Sequence, residues 1–193
     1  MSRIESLIKE KCPDGVEYRK ISDICNISRG KVMSKDYIRE NAGDYPVYSS
    51  QTENNGELGR ISTYEYEGEY LTWTTDGANA GTVFHREGQF SVTNVCGLLK
   101  IRQTDVICKY LFYALSLEAP EHVNQGMGNA KLMSNVMADI EIPIPPIEVQ
   151  QEIVHILDKF TELEAELQAE LDVRKKQYEH YRDKLLTFER KVV

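Results

Sequence analysis

The chain has 193 residues, which is enough for one globular domain and one further element but not for two full domains. Hydrophobic residues make up 41% and charged residues 28%, an ordinary composition that allows a packed core, and no apolar run is long enough for a transmembrane helix. The net charge of −8 excludes a protein that is basic over its whole surface.

The N-terminus and the cysteines indicate where the protein works. Residues 1–6 contain no apolar run of the kind that secretory signals carry, so we expect a cytoplasmic protein. None of the cysteines is spaced as a Cys-x-x-Cys pair, which predicts reduced, mostly buried thiols and argues against a zinc site. They are Cys12, Cys25, Cys96 and Cys108. We therefore predict neither a metal nor a cofactor.

The charges are unevenly distributed along the chain. Between Arg19 and Arg39 six basic residues stand against only two acidic ones, Asp23 and Asp36. Acidic residues collect instead at residues 65–69 and in the C-terminal region. A molecule with this distribution can bind DNA if one face is basic, although we do not expect it to bind strongly alone.

The first third of the chain predicts one helix followed by strands. Apolar residues at helical spacing predict a helix over residues 4–11, which a Pro-Asp-Gly sequence then ends. Residues 16–27 are typical of a short strand with a turn or helical start. Residues 45–48 predict a strand, and residues 49–59 a first polar loop.

The middle of the chain is rich in β-favouring residues. Tyrosine, leucine and tryptophan between residues 64 and 73 favour strand, and residues 74–81 form a second polar loop. Strands are predicted over residues 82–84 and 92–101, and a helix over residues 105–116.

The composition changes after a third polar loop at residues 124–131. Residues 140–146 alternate like a strand and end in prolines, which suit the entry to a helix. Residues 147 to about 190 contain neither Gly nor Pro, which predicts a helix of roughly 40 residues and about 60 Å.

The long helix carries apolar residues at steps of three and four, with one phase slip. The stripe contains Ile156, Phe160, Leu163, Leu167, Tyr181, Leu185 and Phe188. A domain of this size cannot bury so long a helix, so the stripe predicts coiled-coil pairing with another helix. The expected fold is α+β, with a β-rich domain at residues 1–146 and a spacer or dimerisation helix at residues 147–193.

Patterns that could carry catalysis have simpler interpretations. Asp14, Glu17 and Lys20 resemble a nuclease carboxylate set, but they are packed into one turn. Glu152 and His155 have helical metal-ligand spacing, yet a di-metal bundle needs further ligands from other helices. The chain also lacks the Asn/Asp-Pro-Pro-aromatic loop with which DNA amino-methyltransferases hold a flipped base. The sequence therefore predicts a protein that is not an enzyme.

The three polar loops are candidates for DNA contact, although their composition alone equally suits solvated turns. Glycines allow a close backbone approach, and amide or hydroxyl side chains can pair with base edges. The predicted base-reading residues are Ser50, Gln51, Asn54, Asn55, Thr75, Asn79, Asn129 and Lys131. Arg29, Lys31 and Lys35 are predicted to contact phosphates or groove edges, because their charge is locally unopposed.

The order of these segments resembles that of type I restriction–modification specificity (S) subunits. The head Ile142-Pro143-Ile144-Pro145-Pro146, followed by glutamine and Ile153-Val154, resembles the end of a target recognition domain and the start of its spacer helix. Residues 12–18, 74–83 and 126–136 resemble the family's N-terminus, mid-domain Gly-x₃-Gly segment and Gly-polar-Lys turn. The resemblance covers nearly the whole chain.

The resemblance implies a division of labour. The domain would read one half of a bipartite site in double-stranded DNA, and the helix would dock modification (methyltransferase) subunits that use S-adenosylmethionine. Separate restriction (motor-nuclease) subunits would join through the complex. A full S subunit has two such domains and two helices, so this chain is a half-subunit or a fragment, and we expect a homodimer through the helix.

Two other functions stay open from the sequence. One is the recognition module of a different DNA-modification system, cut from a fused methyltransferase–nuclease chain. The other is an interaction adaptor that binds no DNA, for which the acidic net charge is the best support.

Overall fold

A computed structural model of the chain describes residues 2–126 and 128–188. Its contacts separate two compact units, one that ends at Glu152 and one that begins at Ile153. The first unit is rich in sheet and the second is helical, so the α+β class expected from the sequence is confirmed. None of the helices among the described residues has the length and apolarity that crossing a membrane requires.

The described residues contain ten strands, most of them four to six residues long. In chain order they are Glu17–Lys20 (β1), Cys25–Arg29 (β2), Ala42–Tyr48 (β3), Glu57–Ile61 (β4), Tyr66–Glu67 (β5), Tyr70–Thr74 (β6), Val83–Arg86 (β7), Gln89–Val92 (β8), Cys96–Ile101 (β9) and Glu141–Ile144 (β10).

Six α-helices and two short 3₁₀ turns accompany the strands in the described residues. The helices are Arg3–Lys11 (α1), Ile21–Ile24 (α2), Lys35–Glu40 (α3), Cys108–Glu118 (α4), Ser134–Asp139 (α5) and Ile147–Leu186 (α6), and the 3₁₀ turns are Glu53–Gly56 and Ala119–His122.

The strands form three small sheets. Two four-stranded sheets have the orders β2-β9-β6-β7 and β4-β3-β8-β5, and β1 pairs with β10. The pairs are antiparallel except β3 with β8, which run parallel over Val47–Ser91 and Tyr48–Val92. Because the two strands run parallel, the loop that follows β3 and the turn that follows β8 begin side by side.

Trp73, on β6, is the largest fully buried side chain among the described residues. Its indole Nε1 donates to the Leu132 carbonyl at 3.0 Å. A Cβ atom at its neighbour Gly97 would lie 2.3 Å from the indole ring, so only glycine fits there. The indole therefore connects the sheet to the segment that follows the third polar loop.

The entry to α6 is held by a buried glutamine. The Gln150 amide nitrogen donates to the carbonyls of Pro145 and Asp105, each at 2.8 Å, and its oxygen accepts from the Ile107 amide at 2.9 Å. A fully buried amide must satisfy its polar atoms in this way. The first turn of α6 is thereby fixed to the segment that opens α4.

Several predicted elements differ from the structure. The first polar loop is shorter than predicted, because β4 begins at Glu57 and pairs with β3. The predicted strand over residues 92–101 is broken by a turn in which the Cys96 amide donates to the Thr93 carbonyl at 3.0 Å. Helices α3 and α5 were not predicted, since six residues show too little periodicity to detect.

The long helix is confirmed as 40 residues from Ile147 to Leu186. From Phe160 onward its side chains are exposed, with apolar residues at the predicted spacing. The end of the predicted helical segment, residues 189–193, lies outside the described residues. Whether the stripe pairs with a second helix stays a prediction.

Candidate nucleic-acid interface

The loop between β6 and β7 is a compact turn closed by its own hydrogen bonds. The Gly81 amide donates to the Thr74 carbonyl at 2.9 Å, and the Ala80 amide donates to the Gly77 carbonyl at 3.0 Å. Gly77 and Gly81 have φ angles of +100° and +86°, which glycine adopts without strain. The loop therefore holds the exposed side chain of Asn79 on a fixed backbone.

The third polar loop is joined to the β6–β7 loop through backbone atoms. The Gly77 amide donates to the Ala130 carbonyl and the Leu132 amide donates to the Thr75 carbonyl, each at 3.0 Å. These two bonds form a short ladder between segments more than fifty positions apart. The second and third loops therefore lie side by side.

The first polar loop joins the same group through side chains. The Asn79 amide donates to the Thr52 hydroxyl at 2.9 Å. The Thr93 amide donates to the Tyr48 carbonyl at 2.8 Å, and the Thr93 and Ser49 hydroxyls are 2.9 Å apart. The loop that follows β3 is thus fixed at both the β6–β7 loop and the turn after β8.

That turn, residues 93–95, is a fourth segment of the surface. The Thr75 amide and hydroxyl both donate to the Val95 carbonyl, at 3.3 and 2.8 Å. Asn94 is exposed at its tip. We name the surface formed by residues 49–56, 75–82, 93–95 and the described part of 124–131 the loop edge.

A buried arginine supports the loop edge from beneath. Arg86 is 3% exposed, and its Nη2 donates to the Asn55 carbonyl at 2.8 Å. Its Nε donates to the Thr72 hydroxyl at 3.1 Å, and its guanidinium carbon lies 3.6 Å from the centre of the Tyr48 ring. Burial lowers the pKa of this guanidinium. Arg86 therefore fixes the turn at residues 53–56 against the sheet.

The backbone of that turn is unusual. Asn54 and Asn55 have φ angles of +49° and +53°, and asparagine tolerates this left-handed region better than most residues. Gly56 also has a positive φ, and a Cβ atom there would lie 2.9 Å from Nη2 of Arg86. The turn consequently exposes both asparagine side chains.

Comparison with known proteins identifies the family of this chain. The family model described as the type I restriction modification DNA specificity domain matches residues 13–173. The chain belongs to this family. The resemblance inferred from the sequence is confirmed.

Related specificity subunits occur in Mycoplasma pneumoniae (strain ATCC 29342 / M129 / Subtype 1). The putative type I specificity subunit S.MpnORF507P is 50% identical over 167 residues, which are 86% of this chain and 46% of that protein. The type I restriction enzyme MpnII specificity subunit is 43% identical over 173 residues, 88% of this chain and 52% of that protein. The chain therefore spans about half the length of these relatives.

A solved structure has the same fold. The crystal structure of a type I restriction-modification system S subunit from M. genitalium superposes with a TM-score of 0.66 over 91% of this chain and 47% of that one. At 17% sequence identity, this likeness concerns the fold.

Most of the predicted base-reading residues of this specificity domain lie on the loop edge with accessible side chains. Asn54, Asn55, Asn79 and Asn129 are exposed, and Ser50 is half-buried. The tertiary structure brings them together although they come from three separate loops. Their contact with bases stays a prediction.

Two predicted base readers are better explained as parts of the specificity domain's framework. Thr75 is fully buried with its hydroxyl bonded to Val95 and Asp76, so it cannot reach a base, and the prediction for it is wrong. Gln51 is half-buried, and its side-chain amide donates to the Glu57 carbonyl at 2.5 Å. That bond closes the first loop onto β4.

Lys31, a predicted phosphate contact, and Lys131, a predicted base reader, each have an acidic partner that is distant in sequence. The Lys31 ammonium lies 2.6 Å from the Glu65 carboxylate, and the Lys131 ammonium lies 3.7 Å from Asp76. The hydrogen bond to Glu65 raises the pKa of Lys31. Both lysines stay exposed, so a phosphate could compete for them.

Two further residues of the basic stretch are paired with acids that are distant in sequence. Arg19 lies 2.6 Å from Asp105, and Lys20 lies 2.8 Å from Asp139. Such pairs require tertiary contacts and could not be foreseen from local composition. Lys35 is exposed at the start of α3.

Arg29 lies beside the end of the third loop. Its Nε donates to the Ser134 hydroxyl at 3.2 Å, and its Nη2 lies 3.6 Å from the Met133 sulfur. The neighbouring Asn135 lines a polar groove together with Asn124 and Asn129. The sequence prediction missed Asn94 because residues 92–101 were predicted as one strand without a turn. It missed Asn135 because α5 was not predicted.

The second unit presents the predicted helix-pairing residues. Six of the seven are exposed, between 52% for Leu163 and 82% for Phe188, and Ile156 is half-buried. The prediction that Phe188 belongs to the helix is wrong, because α6 ends at Leu186. Leu171 and Tyr178 continue the stripe between them, with 47% and 67% exposure. An exposed apolar face of this length is costly in water and favours association.

Proposed function

We propose that this chain recognises one half of a bipartite DNA target for a type I restriction–modification complex and catalyses no reaction itself. The observation that carries the proposal is the convergence of four polar segments, distant in sequence, on one edge of the specificity domain. Independent solvated turns would not require hydrogen bonds from one loop to another, such as the bond from Asn79 to Thr52. A rigid surface of exposed amides suits the paired donors and acceptors of base edges.

The electrostatics favour recognition within a complex rather than by the chain alone. The net charge is −8, and Lys31 and Lys131 are each paired with an acid. Phosphate contacts supply most non-specific DNA affinity, so a weakly basic surface depends on partners for it. Methyltransferase subunits docked on the helix would supply that positive surface, and restriction subunits would join through them.

The exposed stripe on α6 is proposed to pair two copies of the chain. Two antiparallel helices of about 60 Å would place a specificity domain at each end of a two-fold dimer. Each domain would then read one half-site. The family relatives, about twice as long as this chain, support the proposal that two such units work together.

The proposal is tested by titrating duplex DNA with the chain and its purified methyltransferase subunits, over a range of salt concentrations. The target duplex is chosen from the methylated sites of the source cell, and a scrambled duplex is the control. We expect the complex to prefer the target by at least about 10³-fold. A complex that assembles but shows no preference would contradict the proposal.

That last outcome would favour a second candidate, an interaction adaptor that binds no DNA. The neutralised basic stretch is the observation in its favour. The triple variant Asn54→Ala, Asn55→Ala and Asn79→Ala separates the two functions. If the chain reads DNA, the variant complex assembles but prefers the target duplex less; if the chain is an adaptor, both assembly and DNA binding are unchanged.

The chain alone should neither methylate nor cleave DNA when S-adenosylmethionine, ATP and Mg²⁺ are all supplied. The measurement is transfer of labelled methyl groups and nicking of plasmid DNA, with the assembled complex as the positive control. Methyl transfer by the chain free of other subunits would overturn the non-catalytic assignment.

A further inference from the structure

Three potential metal ligands meet away from the loop edge. Glu69 immediately precedes β6, His85 lies on β7, and Cys108 is the first residue of α4. His85 Nε2 lies 2.7 Å from a Glu69 carboxylate oxygen. One ligand atom from each of the three residues lies within 4.8 Å of the others. Their separation in sequence explains why cysteine spacing gave no sign of this cluster.

The ligand types and distances suit zinc. Imidazole, thiolate and carboxylate are the side chains that bind Zn²⁺, with bonds of about 2.0–2.3 Å in a tetrahedron. Ligand atoms in such a tetrahedron lie roughly 3.3–3.8 Å apart. The present separations of 2.7 to 4.8 Å bracket that range, so the site needs side-chain adjustments and no change of fold.

The electrostatic environment favours a cation. Burial and the nearby Glu69 carboxylate raise the pKa of the Cys108 thiol. Glu87, whose carboxylate lies 4.0 Å from His85 Nε2, adds a second negative charge. A bound divalent cation favours the deprotonated thiol, because its positive charge stabilises the thiolate and both carboxylates.

The other neighbours are compatible with a bound metal. The Lys100 ammonium, the opposing charge, is turned to the Glu69 carbonyl at 3.1 Å and lies 4.1 Å from the Tyr70 ring centre. The Phe112 ring packs beside the His85 imidazole at 6.3 Å. The Glu69 and Glu87 side chains are 46% and 71% exposed, so a cation can approach the cluster from the carboxylates.

We propose that Glu69, His85 and Cys108 form a zinc site that ties α4 to the β6–β7 hairpin. Binding releases the Cys108 proton to solvent. The proton between His85 Nε2 and Glu69 also leaves for solvent if the imidazole is cationic, or is replaced by one on Nδ1 if it is neutral, so that one metal–nitrogen and one metal–oxygen bond replace the hydrogen bond. This site is independent of DNA recognition, so its test does not depend on the proposed function.

The test titrates Co²⁺ into the full chain after treatment with a chelator. Thiolate coordination to Co²⁺ produces a charge-transfer band in the near ultraviolet, which distinguishes this site from exposed carboxylates. We expect one equivalent to produce the band, Zn²⁺ to displace it, and Zn²⁺ to raise the midpoint of thermal unfolding.

Matched variants locate the ion. Cys108→Ala should abolish the band, and His85→Gln and Glu69→Gln should each weaken apparent affinity by at least about 10-fold, the loss typical of disturbing a metal site. Cys12→Ala and His122→Gln, outside the cluster, should change nothing. The proposal is overturned if the wild-type chain gives no band, or if the band survives Cys108→Ala. Should that variant fail to fold, unchanged affinity in the exposed Glu69→Gln variant would overturn it equally.

Discussion

Asn79 has an exposed side chain that also bonds to a neighbouring loop, and mutation can separate these two roles. Its side chain is exposed on the β6–β7 loop, and its amide also donates to Thr52 at 2.9 Å. A base edge would compete for that amide, since Asn can present a donor and an acceptor together. The residue is therefore either a base reader or a tether between two loops.

Asn79→Ala should cost roughly 1–3 kcal/mol of binding free energy on the target and relax preference at one base position. The measurement is equilibrium binding of the assembled complex to single-base variants of the target. Thr52→Ala removes the tether and keeps the Asn79 amide, so it should retain base preference. Asn26→Ala, exposed in the middle of β2, is the neutral control. Equal losses in Asn79→Ala and Thr52→Ala would show that Asn79 acts as a tether only.

Lys31 is expected to behave differently from an amide. Lys31→Ala should weaken binding to every sequence alike and flatten the dependence of log affinity on log salt by about one unit, because one phosphate contact is lost. Its pairing with Glu65 predicts the opposite effect for Glu65→Gln, which leaves the ammonium free for phosphate. Salt titrations of both variants check this, and an unchanged slope in Lys31→Ala would exclude a phosphate contact.

At the scale of elements, Arg86 connects the sheet to the loop edge. It lies on β7 and donates to the Asn55 carbonyl, yet its Nη1 is buried without a hydrogen-bond partner among the described residues. Burying an incompletely satisfied cation is costly, so this residue is not explained by stability alone. Fixing the left-handed turn at Asn54 and Asn55 accounts for it.

Arg86→Met should change the free energy of unfolding by less than about 2 kcal/mol, because hydrogen bonds worth about 1 kcal/mol each are offset by removal of a desolvated charge. Amide hydrogen exchange at residues 53–57 should nevertheless accelerate, and base preference should fall. Arg39→Met, an exposed change on α3 that affects only the ion pair with Asp36, should do neither. Slow exchange retained in Arg86→Met would show that the turn holds its shape without the guanidinium.

At the scale of the whole molecule, the stripe on α6 is the feature that calls for a partner. Leu163→Asp combined with Leu185→Asp should leave a folded domain that neither dimerises nor recruits methyltransferase subunits, because two charges would be desolvated in an apolar seam. Light scattering and pull-down measure the two losses. Ala165→Asp with Ala169→Asp, two exposed changes about half a turn around the helix from the stripe, is the control with the same added charge. Unchanged assembly in the stripe variant would contradict the spacer role.

Features that depend on neighbours along the chain were predictable from the sequence. The helix from Ile147 follows from a long run without Gly or Pro, and α1 follows from its periodicity and from the Pro-Asp-Gly stop. The α+β class, the polar loops and the family resemblance rest on the same local patterns. These signals survive folding because hydrogen bonds and side-chain spacing within a helix or turn involve residues a few positions apart.

Only the tertiary structure decided which of these segments meet. The ladder between Gly77 and Ala130, the burial of Thr75 and the ion pair of Lys31 with Glu65 each join parts of the chain whose register is set by packing. The same holds for His85 and Cys108, brought together by the docking of α4 on β7. Pairings of this kind depend on the packing of the whole core and not on local composition. Composition therefore predicted the positions of the loops, but it could not predict which of their side chains would be exposed.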